Sequence, residues 1–294
     1  MKTFNISNGH IAIAVKERGA ELCSLVRKAD NQELLWQGIP QYWDGQSPIL
    51  FPTVGNSFGQ TIRHQGKPYI MPKHGLVRSM LFTLVEHTDD SLTLRAESNE
   101  ETLAHYPFAF CFDVCYALHD DHLKVTFSLS NPGDTAVPFL LGAHPGFCLP
   151  DFHSEDEHHG YLDFNVKDKL VSLGLKPGGF VWRKASFDVE LDAEGRLPLT
   201  NTTFTCDTIL DDTNRLRTCS LYDKGGRPVV SLSFDSPVLA LWAPCGGCAP
   251  FVCIEPWWGL CDEFGYEGEF SQRPWANTVE GKSTKEISYT IAVH

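Results

Sequence analysis

Apolar and polar residues alternate along much of the chain. The pattern is clearest at 110–118 and 123–129, where every second residue is apolar, and the polar segment 119–122 between them has the composition of a turn. A period of two predicts two strands of a hairpin, each with one face in the core. The same alternation predicts strands at 11–15 and at 287–293.

Short strands are expected along the rest of the chain, with turn residues about every ten positions. They are predicted at 137–143, 162–166, 180–182, 218–222, 229–234 and 238–242. Glu100–His105, which is followed by Pro107, is the one predicted helix. Many strands without intervening helices indicate an all-β protein, a large antiparallel β-sandwich or barrel with few short helices. Because no linker or repeat interrupts the pattern, we expect a single domain over residues 1–294.

Charge and composition exclude several functional classes. The chain has 24 Lys and Arg against 37 Asp and Glu, a net charge of -13, so most of its surface would repel nucleic acid. The early apolar run at 11–15 is too short for a signal peptide, and no segment approaches the roughly 20 apolar residues of a membrane span. The 10 cysteines are scattered. We therefore expect a cytoplasmic protein with reduced thiols and with no nucleic-acid or membrane partner.

Two polar residues stand at the ends of apolar strands, where chemistry could occur. Glu255 follows an apolar run and precedes a proline and two tryptophans, and His144 follows the predicted strand 137–143. A buried glutamate must be paired, or its pKa rises toward the value that a general base requires. The alternative is that Glu255 ends its strand in solvent. A third motif at 74–78, with sequence His-Gly-Leu-Val-Arg, would form a pocket with these two residues if all three converge.

Other patterns are less informative. The Cys-Gly-Gly-Cys segment at 245–248 has the spacing of redox and zinc motifs, but it lacks a βαβ context and a second cysteine pair, so we interpret it as a turn. The acidic, histidine-rich segment 151–160 is predicted as a solvated surface loop rather than a metal site. His74, His144 and Glu255 could themselves be metal ligands, because spacing alone does not distinguish such a site from an acid-base pair.

Six motifs in this order resemble the galactose mutarotase-like family, the aldose 1-epimerases, and most closely its LacX-type branch. They lie at residues 19–22, 35–38, 47–52, 74–78, 144–147 and 254–259. The likeness runs over nearly the whole chain. It implies a large β-sandwich of the galactose mutarotase type, an open sugar cleft, and chemistry that uses no metal or cofactor.

The resemblance also implies roles for individual residues. Glu255 would take the proton of the anomeric hydroxyl while His144 donates a proton to the ring oxygen, and reclosure of the open chain would give the other anomer. Ring opening needs a base and an acid on two oxygens of one hemiacetal, which these residue types supply. His74 would orient the sugar, and Arg78 would bind it or support the site.

Aromatic residues beside these motifs suit a sugar pocket, because the C–H face of a pyranose packs on flat rings. Phe147, Trp257 and Trp258 are the expected walls, although any one of them could instead be ordinary core. Two positions depart from the family pattern. Asn56 stands where an arginine is common, and Asp207 is the candidate for the substrate-binding aspartate, which has no clear motif here.

The leading hypothesis is therefore an aldose 1-epimerase-like isomerase of a free hexose or a close derivative. The acidic net charge gives little support to sugar phosphates as substrates. A carbohydrate-binding protein that uses the same cleft without turnover is the alternative. The expected partner is a small-molecule sugar, and the expected state is a monomer or a homodimer.

Overall fold

The computed structural model describes residues 2–166, 169–205, 207–244 and 249–294. Strands account for 47% of the chain and helices for 6%. The two largest sheets are built from antiparallel pairs. The predicted all-β antiparallel class is thereby confirmed.

The first strands are β1 (Thr3–Ser7), β2 (Ile11–Lys16), β3 (Leu22–Arg27), β4 (Gln32–Glu33), β5 (Ile49–Leu50), β6 (Thr61–His64), β7 (Lys67–Ile70), β8 (Thr83–His87) and β9 (Ser91–Glu97). The next are β10 (Cys111–His119), β11 (His122–Ser130), β12 (Val137–Phe139), β13 (Leu141–Ala143), β14 (Gly146–Cys148), β15 (His158–Asp163), β16 (Leu170–Ser172), β17 (Leu175–Lys176) and β18 (Phe180–Val181). The last are β19 (Phe187–Val189), β20 (Leu197–Thr200), β21 (Ile209–Asp211), β22 (Thr218–Tyr222), β23 (Pro228–Phe234), β24 (Val238–Trp242), β25 (Phe251–Trp258), β26 (Asn277–Val279) and β27 (Thr284–Val293). Helical structure comprises α1 (Glu100–His105) and 3-10 turns at Phe58–Gln60, Val77–Ser79, Arg183–Ala185 and Phe270–Gln272.

Three sheets hold most of these strands. The largest has nine strands in the order β20-β15-β22-β23-β27-β11-β10-β9-β8. A six-stranded sheet follows the order β21-β24-β25-β13-β5, with β14 also paired to β25, and a four-stranded sheet contains β1 to β4. In the part of the chain that the structure describes, no helix is long and apolar enough to cross a membrane.

The hairpin predicted from alternation is present as β10 and β11, with His119 opposite His122 at the turn. Along both strands every second side chain is buried, as a half-buried strand requires. The predicted helix is also confirmed. Asn99 begins α1 with a capping box, in which its side chain accepts from the backbone of Thr102 and the Thr102 hydroxyl accepts in return.

Two details of the predicted strands are wrong. The segment 137–143 is not one strand, because Leu140 separates β12 from β13 and its N–H donates to Pro52 instead of to a sheet neighbour. The two halves belong to different sheets. The surface loop predicted at 151–160 ends early, since β15 begins at His158 and His159 is buried with its Nε2 2.6 Å from Asn201 Oδ1.

One continuous hydrophobic core joins the sheets. Phe51, directly after β5, stacks on Phe112 of β10 at a centroid distance of 4.9 Å, so the six-stranded sheet packs against the nine-stranded one. β25 is buried along its whole length. Any polar side chain on this strand is therefore held in the protein interior at a fixed position.

Candidate active site

A cavity of about 250 Å³ lies over β24 and β25 and is bordered by the segments that follow β5, β7 and β13 and by the segment that precedes β21. Most of the residues predicted for the site line it. They are Asn56, His74, Arg78, His144, Asp207, Glu255 and Trp257. The structure thus brings together residues that are separated by up to about two hundred positions in the sequence.

Two of the predicted walls, Phe147 and Trp258, do not line the cavity. Trp258 is buried at the end of β25. Phe147 is fully buried in β14, opposite Val252, and its backbone bridges to Leu35. Successive side chains of a strand point to opposite faces, so closeness to His144 in sequence does not place Phe147 at the same surface. Aromatic side chains from other segments line the cavity instead, namely Trp43 and Trp242 together with the predicted Trp257.

Glu255 occupies the cavity-facing side of β25, and only 1% of its surface is exposed. Its Oε2 accepts a hydrogen bond from the indole N–H of Trp257 at 3.2 Å and lies 3.3 Å from Nε2 of His144. Trp257 is two residues further along the strand, so its side chain shares the same face. Burial raises the pKa of Glu255 well above its usual value, and the Lys73 cation and the Trp257 N–H partly oppose that rise.

His144 follows β13 directly, and its ring stacks on Trp43 with centroids 4.9 Å apart. Burial, with a smaller contribution from the cations Lys73 and Arg78, lowers the pKa of His144 to about 3. The imidazole is therefore neutral at pH 7 in the free protein. Its Nδ1 is buried and has no hydrogen-bond partner among the described residues.

His74 is fixed by two hydrogen bonds to one residue. The N–H of Gly55 donates to His74 Nδ1 at 3.1 Å, while the N–H of His74 donates to the Gly55 carbonyl at 2.9 Å. Because Nδ1 accepts, the ring proton of neutral His74 is on Nε2. Burial, with help from His144, Lys73 and Arg78, lowers the pKa of His74 well below its usual value. His74 is thus held as a neutral donor.

Close contacts explain the two glycines next to His74, which are Gly75, its neighbour in sequence, and Gly55, its hydrogen-bond partner. Gly75 has a φ of +77°, and a Cβ there would lie 2.2 Å from the carbonyl oxygen of Phe51. Gly55 has a φ of +59°, and its Cβ would meet the Cβ of Cys261 at 2.4 Å. Only glycine fits such positions without movement of the backbone. These contacts attach the His74 loop to the end of β5 and to the segment after β25.

The remaining polar residues surround the opening. Asn56 donates from its side-chain amide to the Gly178 carbonyl. Asp207 accepts from the indole N–H of Trp242 at 3.2 Å, so this carboxylate is oriented by an aromatic wall. Arg78 is exposed, and so is Lys73, a lining residue that sequence reasoning missed. Its position directly before His74 is the signal that could have found it.

Metal ligation by His74, His144 and Glu255 does not match the described geometry. The group of potential ligands whose atoms lie within 4.8 Å of one another is His144, Cys253 and Glu255, without His74. Cys253 is fully buried, and burial raises the pKa of its thiol well above the usual value, which opposes thiolate ligation. The Cys-Gly-Gly-Cys motif at 245–248 lies outside the described residues.

Comparison with known proteins identifies relatives over the full length. Residues 2–264 match the family described as aldose 1-epimerase. The chain is 29% identical over 303 residues to the chromosomal protein LacX of Lactococcus lactis subsp. lactis, covering 99% of both chains. This similarity confirms the expected likeness to the LacX-type branch.

Two crystal structures show the same fold. One is a galactose mutarotase-like protein from Lactobacillus casei, with 29% identity, a TM-score of 0.93 and coverage of 100% of both chains. The other is a galactose mutarotase related enzyme from Lactobacillus acidophilus, with 28% identity, a TM-score of 0.92 and coverage of 100% of this chain and 97% of that one. The expected galactose mutarotase-like sandwich is confirmed.

Proposed function

Because the chain belongs to the aldose 1-epimerase family, we propose that it interconverts the α and β anomers of a hexose or related sugar by opening and reclosing the ring. One observation carries this proposal. The carboxyl of Glu255, on β25, and the imidazole of His144, directly after β13, lie 3.3 Å apart in a cavity of about 250 Å³. That volume is slightly below the range for drug-sized ligands and suits a monosaccharide.

Ring opening moves two protons. Glu255 removes the proton from the anomeric hydroxyl, and His144 gives a proton to the ring oxygen as the bond between C1 and that oxygen breaks. The product is the open-chain aldehyde, with Glu255 protonated and His144 neutral. Rotation about the C1–C2 bond presents the other carbonyl face, and the reverse transfers close the ring to the opposite anomer.

The pKa directions of the two groups bear on this cycle. The cyclic sugar reacts with an ionised Glu255 and a protonated His144, whereas the open chain is held by the neutral pair. Burial raises the pKa of Glu255 and lowers that of His144, so the free site favours the neutral pair. A bound sugar hydroxyl that donates to the carboxylate would stabilise the ionised form. The two forms can therefore approach each other in energy once substrate is present.

Other lining residues suit the binding of a sugar. His74 presents one N–H donor, and Asp207 supplies an acceptor beside Trp242. Trp43 and Trp257 offer flat surfaces for the C–H face of the ring. We propose that these groups orient the sugar so that its anomeric hydroxyl meets Glu255 and its ring oxygen meets His144.

The test is anomer exchange followed by NMR in freshly dissolved α-glucose and α-galactose, with chelator present. Wild type should accelerate exchange. The catalysed exchange rate should fall by about 10² to 10⁴-fold in Glu255→Gln and in His144→Asn, which is the usual contribution of a proton-transfer group. Glu86→Gln, which makes the same substitution on the exposed strand β8, serves as the control and should keep the wild-type rate.

The alternatives predict other results. A sugar-binding protein without turnover would bind sugar saturably and leave exchange at the uncatalysed rate. A metal-dependent enzyme would lose activity to the chelator. Unchanged exchange in Glu255→Gln would disprove the assigned base even within an active epimerase.

A further inference from the structure

The imidazole of His144 is not oriented by a hydrogen bond at the nitrogen away from Glu255. A proton-transfer histidine is usually oriented by a third group that bonds its other ring nitrogen. In His144, Nε2 lies 3.3 Å from the Glu255 carboxylate, whereas the buried Nδ1 has no hydrogen-bond partner among the residues that the structure describes. Packing must therefore set the plane of this ring.

The indole of Trp43 supplies that packing. The rings of Trp43 and His144 are stacked, with centroids 4.9 Å apart and planes inclined by 26°. Trp43 also stacks on Phe251 at 5.7 Å, and Phe251 stacks on Trp36 at 4.4 Å. Phe251 and Trp36 are buried in the core, and of these three aromatic residues only Trp43 borders the cavity. The stack thus connects His144 to the interior of the protein.

The loop that carries Trp43, residues 36–47, also binds the backbone beside His144. Within the loop, the indole N–H of Trp36 donates to the Trp43 carbonyl at 2.8 Å. The backbone N–H of Trp36 donates to the Gly146 carbonyl at 2.8 Å, and the Gly146 N–H donates back to a carbonyl of the loop at 2.9 Å. Gly146 follows His144 by two residues. The loop therefore holds both the ring of His144 and the chain that follows it.

Gly45 lets the indole occupy its place in the stack. A Cβ at position 45 would lie 2.4 Å from an atom of the Trp43 ring, so a larger side chain would displace the indole. The φ of Gly45 is outside the left-handed region, and alanine there would strain no backbone. A substitution at Gly45 consequently moves the Trp43 ring and leaves its chemistry intact.

We propose that Trp43 is a positioning residue for ring opening: its indole fixes the plane of the His144 imidazole, so that Nε2 faces both Glu255 and the ring oxygen of the sugar, and it keeps water away from His144. This role rests on the proposed function and goes beyond that of a wall for the C–H face of the sugar. Packing of neighbouring side chains is a general means of locking the rotamer of a reacting group.

The indole also contributes to the burial that lowers the pKa of His144, so its removal has a measurable signature. No titratable group changes in a Trp43 variant. Those on the elements around His144 are Cys253 and Glu255 on β25, Lys73, His74 and Arg78 after β7, and Asp207, which accepts from Trp242.

The first measurement is an NMR titration of the His144 ring over about pH 4.5 to 8, the range in which an exposed histidine gains its charge. The signal is assigned by its absence in His144→Asn. In wild type His144 should stay neutral over this range, because its pKa is about 3. In Trp43→Leu water reaches the ring and stabilises its charged form, so His144 should titrate within the range. Trp43→Phe keeps an aromatic ring over His144 and should retain most of the wild-type behaviour.

Kinetics on the same samples distinguish positioning from sugar binding. Because misplacement by about 1 Å can cost about 10²-fold in rate, kcat for anomer exchange should fall about 10- to 100-fold in Trp43→Leu. The Kd for glucose, measured by calorimetry, should rise several-fold at most. Gly45→Ala displaces the same indole and should also lower kcat and expose His144 to titration. Trp275→Leu makes the control substitution at an exposed tryptophan outside the cavity lining and should keep the wild-type kcat and titration.

The proposal requires both a shifted titration and a lower kcat in Trp43→Leu. A higher Kd with an unchanged kcat overturns it and leaves Trp43 as a wall of the cavity, and so does a wild-type titration of His144. Gly45→Ala gives the same decision if Trp43→Leu does not fold. Absence of anomer exchange in wild type would refute the proposed function, and the NMR titration alone would then show whether Trp43 shields His144.

Discussion

The buried ion pair between Asp262 and Arg273 is expected to stabilise the loop that carries Asn56. Arg273 Nε lies 2.7 Å from Oδ1 of Asp262, and a second guanidinium N–H donates to Oδ2 at 2.7 Å. Oδ2 also accepts from the backbone N–H of Phe58 at 2.7 Å, and the N–H of Asp262 donates to the Asn56 carbonyl at 3.2 Å. Asp262 is 3% exposed and Arg273 is 5% exposed. Removal of either partner would leave a charge in the interior.

The perturbation is Arg273→Met, which keeps much of the side-chain volume and removes the charge. Breaking a buried pair in this way typically costs about 3–5 kcal/mol, because the remaining ion is uncompensated. Burial already raises the pKa of Asp262 from 3.8 to about 6, and Arg273 is the main group that opposes this rise. In the variant the pKa of Asp262 will be higher still.

The sign of the pH dependence follows from linkage. A carboxyl with a raised pKa binds its proton more tightly in the folded state, so its contribution to stability is complete below the unfolded pKa of 3.8 and is lost as pH rises through the folded value of about 6. Since the variant raises that folded value further, the stability difference between wild type and Arg273→Met should be largest at pH 8. It should shrink toward pH 5, where the variant carboxyl is protonated.

The assay is urea unfolding at pH 5 and pH 8 for wild type, Arg273→Met and the double variant Asp262→Asn/Arg273→Met. The added asparagine keeps an acceptor for the Phe58 N–H but has no charge, so the double variant should regain most of the stability lost at pH 8. A loss that is equal at the two pH values would refute the reasoning, as would a double variant less stable than Arg273→Met alone.

Two further outcomes are expected. The proposed cycle needs one proton shared between Glu255 and His144, so in a pH profile of anomer exchange kcat/KM should rise near pH 3, where the doubly protonated site loses its first proton. It should then stay level, and fall on the alkaline side well above pH 4.5, where the site loses the remaining proton. Trp257→Phe removes the N–H donor to the Glu255 carboxylate, so it should raise the pKa of Glu255 and move the alkaline limb to higher pH. An alkaline limb near pH 4.5 in the wild type, the ordinary pKa of glutamate, would contradict the assigned effect of burial. Gly75→Ala places a Cβ against the Phe51 carbonyl at a residue with positive φ, and it should lower the free energy of unfolding by about 2–4 kcal/mol in thermal unfolding. Anomer exchange should also slow, because His74 moves with the backbone. Wild-type stability in this variant would show that the backbone is free to relax.

Much of the fold could be predicted from the sequence because the relevant signals are local. Alternation over nine residues is enough to define β10 and β11 and to assign the buried face of each, and the turn composition at 119–122 sets their register. The Asn99 cap similarly defines α1 within one turn of helix. The placement of Glu255 after an apolar run, by contrast, is compatible both with burial and with a solvated strand end, and only the structure shows that the residue is buried.

Sheet order and site composition were decided by tertiary structure. Leu140 divides one apolar run between two sheets because its N–H is taken by Pro52, a residue nearly ninety positions earlier. Phe147 points into the core, and Trp43 from a distant loop covers His144 instead. These outcomes depend on strand pairings between remote segments, which no local pattern contains.

Charge shows the same division most clearly. The sequence by itself determined that the protein is acidic and that a histidine and a glutamate stand at strand ends. Only the folded chain decided that Glu255 and His144 lie 3.3 Å apart and that Lys73 and Arg78 line the same cavity. The physical reason is that electrostatic and hydrogen-bond energies depend on distance in space and on burial, and both are set by long-range packing rather than by position along the chain.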